Sequence, residues 1–256
     1  MARSGVPPGG GSRRPRHHGR AAVVVLGGGS GSRLGAEVNK VYLTLAGRRV
    51  LSWSLRSAAQ VPDISTFVLV VRPEDATLAE EMLGREARGL EVRLVVGGAT
   101  RHESEDAALA HLAPFVEAGE LDVVAVHDGA RPLAGPALFR SVVSTAQAVG
   151  GAVPVVPATG LLPVSAPRVP SASRGPQRSL AHVQTPQAFR AKDLLTAYSA
   201  ALDAGFRGTD TASTVERFSD LVVKAVPGSR ANLKVTYPHD MILAERLLTA
   251  DRHRMP

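Results

Sequence analysis

The chain has 256 residues, 44% of them apolar and 21% charged, and it contains no cysteine. That length buries a full core as one domain of the larger kind, the lack of cysteine excludes disulfides, zinc–thiolate sites and thiol catalysis, and no apolar run approaches the roughly 18 residues of a membrane span. The formal charge is +7, but five of these charges are arginines within residues 1–20, which leaves residues 21–256 at only +2; with 4% aromatics and no recognised motif, nucleic acid is not an expected partner.

In chain order, residues 1–20 hold no acid, are rich in Gly, Pro and Ser, and lack the apolar core of a secretory signal. They are expected to be a disordered basic tail, with the cytoplasm as the default compartment. The run AAVVVL (21–26) then opens the folded part. Similar short runs follow: FVLVV (67–71), VRLVV (92–96), LDVVAV (121–126), GAVPVV (151–156) and LVVKAV (221–226). Between them Val50–Gln60, Pro73–Leu83, Arg101–Leu112, Pro136–Val149, Lys192–Ala204 and Pro238–Leu248 carry apolar residues at helical intervals. Pro73, Pro136 and Pro238 each stand where a first helical turn accepts proline.

Near-continuous apolar strands alternating with helices predict an α/β fold: an open, mostly parallel, Rossmann-like sheet with helices on both faces. Residues 21–250 are read as a single domain and 251–256 as a disordered C-terminus. The ligand crevice of such a sheet lies at the carboxyl ends of its strands. LGGGSG, GGATR and HDGARP all fall there, after the first, third and fourth runs. One segment breaks the rhythm. Pro157–His182 has five prolines, three arginines and no acid, and is predicted to be an inserted arm outside the core.

The stretch LGGGSGSRLGAEVNK (26–40) looks made for phosphate, yet it fits neither familiar phosphate loop. A Walker A loop needs GxxxxGK[ST], and Gly31 is followed by Ser32 and Arg33; a dinucleotide fingerprint needs GxGxxG, and the final glycine is Leu34. What remains is a strand, loop and helix start whose small residues let backbone N–H groups approach a polyphosphate, with Arg33 and Lys40 supplying full positive charge. A flexible connection with a solvated arginine is the alternative, and further motifs are needed to decide between them.

Those motifs are present. LGGGSGSRLG with NKVYL resembles the [PL]AxGxGxRMG…PKQ[YF]L pattern of the nucleotidyltransferases that make CDP-linked polyols. GGATRHES is similar to their GGxxRxxS, HDGARP to HDAxRP, HVQTPQAF to QTPQxF, GTDTAS to [TD]DAS, and NLKVTYPHDMILAE to NIKVTxPxDLxxAE, all in family order from Leu26 to Glu245. The chain thus resembles the 2-C-methyl-D-erythritol 4-phosphate cytidylyltransferase family, which includes the ribitol-5-phosphate cytidylyltransferases.

The resemblance implies attack by a phosphate oxygen of a polyol phosphate on the α-phosphorus of CTP, with pyrophosphate leaving. Because that nucleophile is already an anion, no strong general base is required, and the work is to hold two polyanions together and neutralise developing charge. By the resemblance, Arg33, Lys40 and Lys234 are the catalytic cations, and Gly27, Gly28, Gly29, Gly31, Gly98 and Ser104 contact the nucleotide. Arg131, Thr159, Arg178, Thr185 and Lys234 face the acceptor, and Asp128 holds Mg²⁺, with an ion pair to Arg131 as the alternative for that carboxylate. His127 is read as structural and Asp210 as a helix cap. The arm at 157–182 corresponds to the family's dimerisation arm, so a homodimer is implied.

Several positions depart from the pattern. Asn39 and Val41 replace Pro and Gln, Glu105 replaces a small apolar residue, Thr211 replaces Asp, and Ala158-Thr159-Gly160-Leu161 stands where the family has DTxK. Three readings therefore stay open: transfer to 2-C-methyl-D-erythritol 4-phosphate, transfer to ribitol 5-phosphate or another polyol phosphate, and a silent nucleotide-binding paralogue.

Overall fold

The computed structural model of the chain describes residues 20–29, 39–158 and 180–252. Strand β1 (Ala21–Leu26) sits inside the sheet, and its alternating side chains explain why the run is apolar throughout. Ala21, Val23 and Val25 enter one core and Ala22 and Val24 the other, all fully buried. On the first face lie helices α1 (Val50–Ala58), α2 (Ala76–Glu86) and α4 (Pro136–Val149); on the second lie α3 (Arg101–Glu117), α5 (Ala191–Asp203) and α6 (Thr211–Phe218). A small third cluster packs α7 (Pro238–Arg252) through Ala244 against Leu45 of a two-stranded hairpin, β2 (Thr44–Leu45) with β3 (Arg48–Arg49).

The main sheet also contains β4 (Ile64–Val71), β5 (Val92–Val96), β6 (Val123–Asp128), β7 (Gly150–Pro157), β8 (Ala181–Val183), β9 (Gln187–Arg190) and β10 (Val222–Pro227). Its order is β10-β7-β9-β6-β1-β4-β5, with β8 paired to β7 off this path. Pairs β1–β4, β1–β6, β4–β5 and β7–β10 are parallel, as the alternation of runs and helices predicts. In the pairings Leu26 stands opposite both Val70 and Asp128, and Val71 opposite Val96. Four strand ends are thereby set side by side, and the loops that leave them share one crevice.

Three features lay beyond the apolar-run pattern. Strand β9, QAFR, is only four residues and pairs antiparallel with both β6 and β7. It runs backwards because the chain leaves β7, returns as β8 antiparallel to it, and continues in that direction. Helix α6 is eight residues long and is started by a capping box at Asp210, whose carboxylate accepts from Ser213 N–H. The cap read at Asp210 in the sequence is therefore present. At the other end of a helix, Gly150 closes α4 and opens β7 at φ 123°, a backbone conformation that side chains with a Cβ strongly disfavour.

The predicted arm is anchored as a ribbon. Val156 pairs with His182 and Pro157 with Ala181, and Ala158 N–H donates to Leu180 O. Its outer part, with Thr159 and Arg178, lies outside the described residues, as do the tail at 1–19 and residues 253–256. Among the described residues no helix is long and apolar enough to cross a membrane.

Candidate active site

The shared crevice at the strand ends is a cavity of about 700 Å³. It is lined by Gly28 and Gly29 after β1, by Gly97, Gly98 and Ser104 around the start of α3, and by Asp128, Lys40 and Lys234. Arg33 and Gly31 lie outside the described residues.

Each wall has a local cause. The loop Gly97 to Thr100 must turn tightly before α3, because a Cβ on Gly97 would stand 2.6 Å from Ser104 Oγ and one on Gly98 would stand 2.3 Å from Glu103 Cβ. Thr100 then caps α3 by accepting from Glu103 N–H, and Glu103 returns a carboxylate to Thr100 N–H. That motif points the helix N-terminus, with its partial positive charge, toward the cavity. On the other wall Gly27 is committed to the scaffold: its N–H donates to Val70 O and its carbonyl accepts from Asn39 Nδ2. Gly28 and Gly29 line the cavity, and among the described residues a Cβ on Gly29 meets no atom within 4 Å.

Asn39, one of the departures from the pattern, is buried and ties this loop down. Its Nδ2 also donates to Asp75 Oδ2, and Asp75 is gripped in turn by Arg72, Nε to Oδ2 at 2.8 Å and Nη2 to Oδ1 at 3.0 Å. Lys40 follows in a short 3-10 turn and is itself mostly buried at 8% exposure, so its ammonium is delivered to the cavity from a fixed base.

Asp128, the last residue of β6, is the electrostatic centre. Its Oδ2 lies 2.8 Å from Lys234 Nζ and 3.7 Å from Arg131 Nε, and Oδ1 meets Arg101 Nη1 in a close ion pair. Burial alone would raise the Asp128 pKa, but the Arg101 guanidinium and then the Lys234 ammonium outweigh it and hold the carboxyl well below the usual carboxylate range. Arg131, partly buried, also donates Nη1–H to Asn232 O, and Asn232 donates to Thr185 O. Thr185 stands directly behind the carboxylate, where its Oγ1 accepts from Asp128 N–H at 3.0 Å.

His127 is a strut beneath this cluster. It is fully buried, and its Nε2 lies 3.2 Å from Arg131 O and 3.1 Å from Ser54 Oγ, with Nδ1 3.1 Å from Thr185 Oγ1. A carbonyl can only accept, so Nε2 carries the proton and Nδ1 accepts from the Thr185 hydroxyl. Burial pushes the His127 pKa down to about 4, which keeps the ring neutral.

The arrangement is a concave anion site: backbone N–H groups and a helix N-terminus in its lining, with several fixed cations around one ionised carboxylate. Its donor chemistry fits a hard divalent ion only in one way. Among the described residues no group of three or more acidic or histidine side chains could hold a metal. An ion at Asp128 would therefore complete its shell with phosphate oxygens and water, a set that Mg²⁺ accepts.

Comparison with known proteins decides the family. The family model for 2-C-methyl-D-erythritol 4-phosphate cytidylyltransferase matches residues 21–250. The chain belongs to that family. It is 36% identical over 222 residues to the 2-C-methyl-D-erythritol 4-phosphate cytidylyltransferase of Synechococcus sp. strain JA-3-3Ab, covering 86% of this chain and 93% of the relative. The enzyme of the same name from Cupriavidus pinatubonensis is 38% identical over 228 residues, covering 86% and 90%. Among solved structures, 4-diphosphocytidyl-2C-methyl-D-erythritol synthase from Anaerococcus prevotii superposes with a TM-score of 0.76 at 26% identity, covering 90% of this chain and 99% of that one. The 2-C-methyl-D-erythritol 4-phosphate cytidylyltransferase of Thermus thermophilus gives 0.65 at 30% identity, covering 88% and 98%.

Within this family member, the structure brings together Gly28, Gly29, Gly98, Ser104, Lys40, Asp128 and Lys234 around one cavity, with Arg131 and Thr185 directly behind Asp128. Sequence reasoning did not anticipate that Arg101 grips Asp128. It also missed Arg72, Asn232 and Gln184, whose side chain donates to Asn232 O and Ser229 O and so fixes the segment before Lys234. Arg101 and Asp128 are far apart in the chain, so no local spacing signals their meeting.

Proposed function

We propose that the protein transfers CMP from CTP to the phosphate of 2-C-methyl-D-erythritol 4-phosphate, releasing pyrophosphate, as a step in isoprenoid-precursor synthesis. The observation that carries this reading is Asp128 with Lys234, Arg131 and Arg101 gathered on it, facing a glycine-walled cavity. Support comes from membership of a family whose named members carry that activity.

In this reading an acceptor phosphate oxygen forms a bond to the α-phosphorus of CTP while the bond to the bridging oxygen of pyrophosphate breaks. The nucleophile needs no proton removed, consistent with His127 being buried, neutral and used as a strut. The triphosphate lies along Gly28, Gly29 and Gly31, and the base and ribose meet Gly98 and Ser104. Arg33 and Lys40 neutralise charge on the α-phosphoryl group, and Lys234 and Arg131 place the acceptor phosphate, while Thr185, whose hydroxyl is engaged by Asp128 N–H and His127, supports Asp128 from within the fold. Asp128 is the residue that would hold Mg²⁺, which would supply Lewis-acid charge neutralisation when bound. The arm at 157–182 joins two copies in a homodimer and offers Arg178, with Thr159, to an acceptor site. The cytoplasm is the compartment we assign.

The test is a panel of polyol phosphates, including 2-C-methyl-D-erythritol 4-phosphate and ribitol 5-phosphate, mixed with CTP, Mg²⁺ and purified protein under pyrophosphate detection. Release with the methylerythritol acceptor well above the others is expected. No release with any acceptor at saturation overturns the reading.

A further inference from the structure

Asp128 is held by Arg101, and Arg101 is itself held from behind. Its Nε lies 2.8 Å from Glu105 Oε1, one helical turn along α3. Glu105 is 1% exposed and shares no surface with solvent that could recruit it elsewhere. Its carboxylate is held by two further side chains: Oε1 also accepts from Thr211 Oγ1 at 2.9 Å, and Oε2 accepts from the Tyr198 hydroxyl. Tyr198 is stacked on His102 at 4.8 Å between ring centroids, so helices α3, α5 and α6 all meet at this one acid.

The Arg101 guanidinium therefore stands between two carboxylates, hydrogen-bonded through Nη1 to Asp128 and in ion-pair contact through Nε with Glu105. We propose that Glu105 is a positioning residue that holds Arg101 against Asp128, and that Glu105 and Thr211 form a compensated pair in which the buried acid stands on α3 instead of at the start of α6. The hydroxyl of Thr211 is within hydrogen-bond distance of the Glu105 carboxylate, so a carboxylate placed at 211 would fill the space that Glu105 fills and meet the same guanidinium. These two positions are also two of the departures from the family pattern, with Asp expected at 211 and a small apolar residue at 105, and the contact makes them one change. Arg101 lines the cavity together with Ser104 and Asp128, so freeing it disturbs the nucleotide side of the site.

This assignment rests on the cytidylyl-transfer reading only for the identity of the nucleotide, and binding can be measured apart from turnover. Equilibrium dialysis with labelled CTP is done on wild type, Glu105→Val, and Glu105→Val with Thr211→Asp. Glu105→Val is expected to weaken CTP binding about tenfold, and the double variant to recover to within about threefold of wild type. A double variant no better than Glu105→Val, or a Glu105→Val protein that binds like wild type, overturns the proposal. If Glu105→Val fails to fold, Glu105→Gln serves instead: it keeps partners for Tyr198 and Thr211 but no charge for Arg101, and unchanged affinity there overturns the proposal equally. Wild-type protein that binds CTP but releases no pyrophosphate with any acceptor defeats the transfer reading and leaves the Glu105 assignment standing.

Discussion

Lys234, in the segment between β10 and α7, places its Nζ 2.8 Å from Asp128 Oδ2 at the end of β6. The contact adds an ion pair to the hydrogen bonds that join two distant motifs, HDGARP and NLKVT, and its lysine is still 42% exposed. An ammonium held at this distance on one side and open on the other is ready to meet a second anion.

Asp128→Asn removes the charge that Arg101, Lys234 and Arg131 share. Three cations would then face a neutral amide, so bound anions are retained while the geometry that directs them is lost. Turnover is expected to fall about 10²–10³-fold, the range for losing one preorganised electrostatic partner. Steady-state kinetics check it, and a loss under about tenfold contradicts the role.

Lys40→Ala addresses the other side of the cavity. The side chain is positioned by the turn after Asn39, so its deletion leaves the fold intact. The expected effect is a fall in kcat of roughly 10²-fold or more with melting temperature held. Activity equal to wild type removes Lys40 from the catalytic set.

His127 gives a pH signature. Its folded pKa is about 4 against an ordinary 6.5, so as pH falls the unfolded chain takes the proton first. Stability from this residue is full above about pH 6.5 and declines by up to roughly 3 kcal/mol as pH drops to about 4. Asp128, whose pKa is depressed, adds a further loss in the same direction below about pH 4. Urea unfolding midpoints across this range are expected to fall for wild type and to stay flatter between about pH 6.5 and 4 for His127→Asn.

The glycines divide into two kinds. Gly98→Ala drives a Cβ into Glu103 and pushes the start of α3, and is expected to cost about 1–3 kcal/mol of stability together with CTP affinity. Gly29→Ala meets no atom within 4 Å among the described residues, so its melting temperature is expected to match wild type and only nucleotide binding to change. Thermal melts with and without CTP separate the two.

Particular residues show what the sequence could reveal. The apolar runs of the parallel core were legible because strands buried on both faces leave no polar position to blur them, as β1 illustrates. QAFR was not legible as a strand, because four residues flanked by Pro186 and a helix carry too little pattern, and its partners β6 and β7 are chosen by topology. Motif order located Asp128, Lys234 and the glycine walls. The i,i+4 spacing of Arg101 and Glu105 on α3 was legible, but the grip of Arg101 on Asp128 was hidden, since it depends on the start of that helix meeting the end of β6 in space. Asn39 looked like a loss where the pattern has proline, and the fold shows it tying the glycine loop to Asp75.

The most direct measurement of the central claim follows the α-phosphorus. CTP labelled at that position is incubated with the protein, Mg²⁺ and 2-C-methyl-D-erythritol 4-phosphate, and the products are separated. The account predicts all transferred label in the cytidine diphosphate ester of the polyol, with one unlabelled pyrophosphate released per ester formed. Label that stays in CTP at saturating acceptor, or that appears in CMP, would contradict it.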